Sequence, residues 1–126
     1  MSKSRKIIYW VATVWLSLGM VSTAIVQLMK MKEEVDMMAR LGYPLYFLTI
    51  IGIWKILGTL AVLVPGFPVV KEWAYAGFFF VSSGAIWSHV AIGDAVTDIL
   101  PPLLLLVLTV VSWYFRPAER KVVLAG

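Results

Sequence analysis

The sequence predicts an all-α fold: a four-helix transmembrane bundle with a short interfacial helix between its first and second crossings. Three observations carry this expectation. Hydrophobic residues make up 61% of the chain and charged residues 14%, where an ordinary soluble domain has roughly 45–50% and about 25%. The apolar residues gather into four runs, each near the about 20 residues that a helix needs to cross a hydrocarbon layer. Turn residues and charges separate the runs, and the basic residues lie mostly at the chain ends, where membrane topology explains the formal charge of +4 without invoking nucleic acid.

The first run covers about 7–29, behind Lys3, Arg5 and Lys6. It is longer than the 7–15-residue apolar part of a signal peptide, so it is expected to be retained. Beyond it, Met31, Val35 and Met38 recur on one face while Glu33, Asp36 and Arg40 take another, the pattern of a helix lying on the membrane surface. Asp36 and Arg40 stand four apart in the favourable order for an ion pair. The second run, about 43–64, holds one charge, Lys55, and stops at Pro65-Gly66-Phe67-Pro68, a tight hairpin. The third covers about 73–92, with Glu72 at its start, where the helix dipole favours a carboxylate as a cap. The fourth covers about 99–115, with Pro101 and Pro102 expected in its first turn, where missing amides cost little. One domain accounts for the 126 residues.

Four crossings put Lys3, Arg5, Lys6, Lys71, Arg116, Arg120 and Lys121 on one side, seven basic residues against Lys30, Lys32 and Arg40 on the other. By the positive-inside rule both termini are cytoplasmic and the acidic loops face outward. Trp10, Tyr43, Trp73, Trp113 and Tyr114 stand near run ends, as interfacial aromatics do.

Lys55 is the most informative residue. It lies deep in the second run, about 15 Å from either end at 1.5 Å per residue, and a charge there costs a few kcal/mol unless it faces a bundle interior or a wet cavity. Gly52 and Gly58 thin the helix near it. Two readings stand: a ligand-binding residue, or a lysine satisfied by hydroxyls and backbone oxygens that locks the bundle. No acidic residue lies within the four runs, so its partner is an inward-folded Asp94 or Asp98, a ligand, or none, the amine then being neutral. Ser17, Ser82 and Ser83 share its depth and are candidate neighbours.

His89, near the outer end of the third run, precedes Gly93-Asp94. An imidazole beneath an acidic loop suits proton exchange near neutral pH; the alternative is a histidine bonded to a helix-end carbonyl. The sole histidine in a chain without cysteine builds no ordinary metal site, and no thiol chemistry is open to the chain itself; single-histidine haem ligation remains formally open. Gly19, Thr23 and Gln27 on the first run, and Gly77, Gly84 and Ser88 on the third, are expected at helix contacts. Tyr75, Phe78, Phe79, Phe80 and Trp87 could pack a flat ring such as a quinone, or simply fill the bundle. Glycine-rich phosphate loops and hydrolase elbows are absent from the sequence.

The ordered set Leu41-Gly42-Tyr43-Pro44, Gly52, Lys55, Leu57-Gly58, Pro65, Lys71-Glu72-Trp73-Ala74-Tyr75-Ala76-Gly77-Phe78, Ser88-His89 and Gly93-Asp94 resembles the DoxX-like family of small four-helix membrane proteins over about 41–101. The resemblance implies a four-helix fold in a bacterial inner membrane. It implies, at the level of fold, an association with membrane redox, quinone and thiol-homeostasis systems. The reading it yields is an accessory subunit of a redox or stress-response system. Such a subunit would bind a quinone-like or small anionic ligand near Lys55, Ser82, Ser83 and Tyr75, with His89 and Asp94 at the outer mouth. Its partners would be the lipid bilayer, an oxidoreductase and a second copy of the chain. A small-solute transporter and a structural assembly factor are the alternatives.

Overall fold

The computed structural model describes residues 2–121. Five α-helices follow one another: α1 (Lys3–Leu28), α2 (Lys32–Leu41), α3 (Tyr46–Leu63), α4 (Pro68–Ala91) and α5 (Val96–Tyr114), with a 3-10 turn at Ala118–Arg120. The all-α expectation holds among the described residues. α1 packs on α3 and α5, and α4 packs on the same two, so the four long helices close a ring. Three of them, α1, α3 and α5, are long and apolar enough to cross a membrane. α4 carries Lys71, Glu72 and His89 within its length and is the more polar fourth member.

Polarity is inverted relative to a soluble bundle. Trp15, Leu18, Trp54, Leu57, Phe80 and Trp87 face outward, whereas Thr13, Gln27, Lys55, Thr59, Ser82 and Ser112 are buried. A chain surrounded by lipid has reason to turn apolar residues outward and to bring its polar groups together, where they bond to one another. Ala12, Leu16, Met20, Tyr75, Phe78 and Leu108 form the apolar core. Beside it Ser112 joins three helices, at 2.6 Å from Thr13 Oγ1 on α1 and 2.8 Å from the Tyr75 hydroxyl on α4.

Several local expectations change. α5 begins at Val96, so Pro101 and Pro102 sit inside the helix and not in its first turn. Lacking N–H groups, they leave the carbonyls of Thr97 and Asp98 without their usual i+4 donors. Glu72 is not a cap: it meets Arg116 Nε at 2.9 Å and accepts from Trp113 Nε1 at 2.9 Å. Lys71, expected in a loop, lies in the first turn of α4 and is 1% exposed. Its ammonium donates to the carbonyls of Ala61, at 2.8 Å, and of Val64, while Arg120 donates to those of Val62 at 2.8 Å and Leu63 at 3.3 Å. These are the last-turn carbonyls of α3, which have no intrahelical donor and carry the negative end of its dipole.

Candidate functional site

Lys55 stands midway along α3, turned inward and 6% exposed. Its Nζ donates to Thr23 Oγ1 at 3.1 Å and to Gln27 Oε1 at 3.0 Å, both on α1. Those two residues were expected at helix contacts; their spacing of four places them on one face of α1, which is the signal that could have paired them with the lysine. An ammonium has three donors, so one remains after these two bonds.

The remaining donor has a cavity beside it. A space of about 510 Å³ is lined from every helix: Thr23 and Gln27 on α1, Glu34 and Arg40 on α2, Lys55 on α3, Ser82 and His89 on α4, and Thr97, Asp98 and the two prolines on α5. α2 borders one side of it through Glu33, Glu34, Met37 and Arg40. The wall offers polar atoms that the chain does not use. Ser82 Oγ and Glu34 Oε2 are buried and find no hydrogen-bond partner, and the freed carbonyls of Thr97 and Asp98 belong to residues on the same wall. Buried polar atoms in folded proteins almost always have a partner, so these oxygens are free to bond to a molecule within the cavity.

Glu34 is the acidic residue that the four apolar runs do not contain. It comes from α2, and its charge interacts with that of Lys55 without a direct ion pair. Burial raises its carboxyl above the ordinary value, opposed by Lys55 and reinforced by Glu33. The wall as a whole carries two cations, Lys55 and Arg40, against three carboxylates, Glu33, Glu34 and Asp98.

A clasp ties α2 to the end of α4. Gly93, at φ 75°, ends α4 in a left-handed turn in which the Asp94 amide donates back to the His89 carbonyl at 3.0 Å. The turn folds the Asp94 side chain over the helix end, where His89 Nδ1 donates to Oδ2 at 2.6 Å and Arg40 of α2 pairs with Oδ1. Arg40 therefore bridges to Asp94 and does not pair with Asp36, as its spacing suggested. The hydrogen bond from His89, helped by the charge of Arg40 and opposed by desolvation, holds the Asp94 carboxyl below the ordinary value. Because the carboxylate accepts at Nδ1, Nε2 of His89 is the nitrogen left for a ligand.

Of the six residues expected at the site, Lys55, Ser82 and His89 share the cavity wall, and Asp94 stands behind His89 in the clasp. Ser83 points elsewhere, into a shallow groove with Ile86 and Trp87, and donates to the Phe80 carbonyl at 3.3 Å. Tyr75 belongs to the Ser112 cluster and not to the lysine. Ser17 likewise donates to the Thr13 carbonyl at 2.7 Å. Among the expected aromatics, Phe78 is core while Phe79, Phe80 and Trp87 face outward. No group of three or more potential metal ligands occurs among the described residues.

A family model described as the DoxX-like family matches residues 11–112, most of the chain. No curated protein and no solved structure matches it.

Proposed function

Because the chain belongs to the DoxX-like family, we propose that it is a four-crossing membrane subunit that binds a quinone-like molecule at Lys55 in the service of a redox or stress-response partner. α4 has 24 residues, about 36 Å at 1.5 Å per residue, enough for a core of roughly 30 Å. It lies between α3 and α5 and crosses with them, both termini facing the cytoplasm of a bacterial inner membrane. The positive-inside distribution of Lys and Arg supports that orientation.

The observation that carries the ligand reading is the buried lysine with a donor to spare, in the wall of a cavity whose Ser82 Oγ and Glu34 Oε2 have no partner. Lys55 and Ser82 can donate to a carbonyl oxygen, and Glu34 can accept from a hydroxyl. A simple anion would meet three carboxylates on the same wall, so a neutral head bearing both acceptor and donor oxygens fits better than the small anion considered from sequence. Quinone and quinol rings have that character. His89 Nε2 is suited to exchange a proton with such a group.

Native mass spectrometry of gently extracted protein, wild type beside Lys55→Met, tests this. A small oxygen-rich molecule retained by wild type and lost from the variant is the expected result. Equal emptiness of two equally stable proteins would refute a ligand site. A small-solute transporter is favoured by one observation, the cavity lined from every helix, and predicts solute flux into liposomes from purified protein. A structural assembly factor predicts that Lys55→Met retains full function in cells.

A further inference from the structure

Three glycines of the bundle have a visible reason to be glycine. A Cβ on Gly19 would stand 2.8 Å from Leu105, one on Gly52 2.7 Å from Leu28, and one on Gly58 2.8 Å from Phe78. Gly77 and Gly84 on α4 differ: a Cβ at either would meet nothing within 4 Å. Their expected role in helix contact is not seen within the chain. Glycine inside a helix costs about 0.5–1 kcal/mol relative to alanine, so two open glycines on an outward face ask what they make room for.

They floor a groove between α3 and α4. Its outer part, about 280 Å³, runs past Tyr43, Phe47, Trp54, Phe80 and Gly84, and shares Lys55, Gln27 and His89 with the polar cavity. The inner part, about 260 Å³, continues over Gly58, Ala74 and Gly77 and shares Trp54, Lys55 and Val81 with the outer part. Polar cavity and apolar groove thus meet at Lys55. Ser82, 2% exposed and without a hydrogen-bond partner, lies on the wall of the polar cavity that Lys55 also lines. A molecule filling both spaces must be polar at one end and apolar at the other. Gly84 and Gly77 lie about 10 Å apart along the helix at 1.5 Å per residue, a length that suits an alkyl or prenyl chain.

Resting on the ligand reading above, we propose that the occupant is an amphiphile, its oxygen-bearing head beside Lys55 and Ser82 and its single apolar tail in the α3–α4 groove over Gly84 and Gly77, entering sideways from the bilayer. Lipid is as apolar as the groove, so the tail governs the route and the pose more than the affinity.

The probes are a tail-free dimethoxybenzoquinone and the same ring carrying a decyl chain with a terminal diazirine, offered to full-length protein in lipid nanodiscs. Ring binding by wild type and its loss in Lys55→Met are expected, and photolysis should label the facing sides of α3 and α4. Gly84→Leu and Gly77→Leu fill the groove with side chains that the open space accommodates. They should retain the tail-free ring and lose the groove label. If neither ring binds, or Lys55→Met binds them equally, the ligand reading fails and this inference with it. If the ring binds but labels spread evenly around the outward faces, the tail is ordinary surrounding lipid and only this inference is overturned. The chain has no cysteine, so Gly84→Cys offers a single thiol. Its efficient crosslinking between two copies in membranes would show the groove to be a subunit contact, and would also overturn the tail site.

Discussion

Replacing Lys55 with methionine separates a lysine kept for a ligand from one kept to hold helices together. The side chains have similar length, so packing is nearly preserved, while the bonds to Thr23 Oγ1 and Gln27 Oε1 are lost. Interhelical bonds of this kind average about 0.6 kcal/mol within a bilayer, so the two supply roughly 1.2 kcal/mol. Against that, a cation near the bilayer centre costs about 2.5–3.5 kcal/mol on insertion scales. The attraction to Glu34 offsets part of the difference, since Glu34 keeps its partly shielded place when the charge goes. The expected result is a variant as stable as wild type, or up to about 2 kcal/mol more stable, that has lost its ligand. Equilibrium unfolding in mixed detergent micelles, followed by far-UV circular dichroism, measures this. A loss of more than about 2 kcal/mol would exceed what two such bonds supply. It would refute the reasoning, making the lysine a bundle lock.

Gly52→Ala should destabilise the bundle by about 1–3 kcal/mol, the usual scale for overpacking, because its Cβ would stand 2.7 Å from Leu28 Cγ and 3.3 Å from the Ala24 carbonyl; Gly84→Ala should cost nothing, and the same unfolding measurement ranks them. Lys71→Met should be destabilising by about 1–3 kcal/mol, since it strips donors from the buried carbonyls of Ala61 and Val64; a neutral result would contradict the capping role. Asp94→Asn should release α2, seen as faster amide exchange in 32–41 with little change in α1. The Asp94 carboxyl titrates below its ordinary value, so its contribution to the clasp is complete above about pH 4 and is lost only as pH falls through the depressed value. Opening of wild-type α2 already at about pH 6 would point to another group. Glu34 behaves oppositely: its carboxyl is raised, so its contribution to stability is complete below the ordinary value and is lost as pH rises through the raised one. Glu34→Gln should flatten that part of the pH profile.

The helices were legible because apolar runs and turn residues are local signals. The short helix α2 also followed from its periodicity, and Lys55 stood out because the run around it is otherwise apolar. What lay beyond reach was facing. Apolar residues surround every crossing, so a lipid-facing side has no compositional contrast with a packed one. Tyr75 and Ser83 were therefore grouped with Lys55 by depth, although one joins Ser112 and the other points into a separate groove. Glu34 was missed for a related reason. A search for partners within the apolar runs excludes a helix that folds back over the bundle, and only the three-dimensional path of α2 brings that carboxylate over the lysine. The i, i+4 rule paired Arg40 with Asp36, but the Gly93 turn presents a shielded Asp94 already bonded to His89. A partly buried acceptor of that kind competes well with an exposed one on the same helix.

Lys55 and Lys71 show why burial alone does not mark a functional cation. Both are nearly inaccessible. The bonds of Lys71 end on backbone carbonyls at the C-terminus of α3, where Arg120 adds further donors. A helix end placed there requires donors whatever the protein does, so architecture accounts for this lysine completely. No comparable demand exists midway along α3, where the backbone is satisfied by the helix itself. The partners of Lys55 are instead the side chains of Thr23 and Gln27, which a bundle made only for packing could replace with apolar residues at a gain. Around it stand the unpartnered Ser82 and Glu34 oxygens and two helix-interior prolines on the same wall. Each of these departs from what a lipid-embedded helix prefers, and they converge on one cavity. A molecule that uses their donors and acceptors together explains them with a single cause, whereas the bundle-lock reading explains the lysine and leaves the others separate.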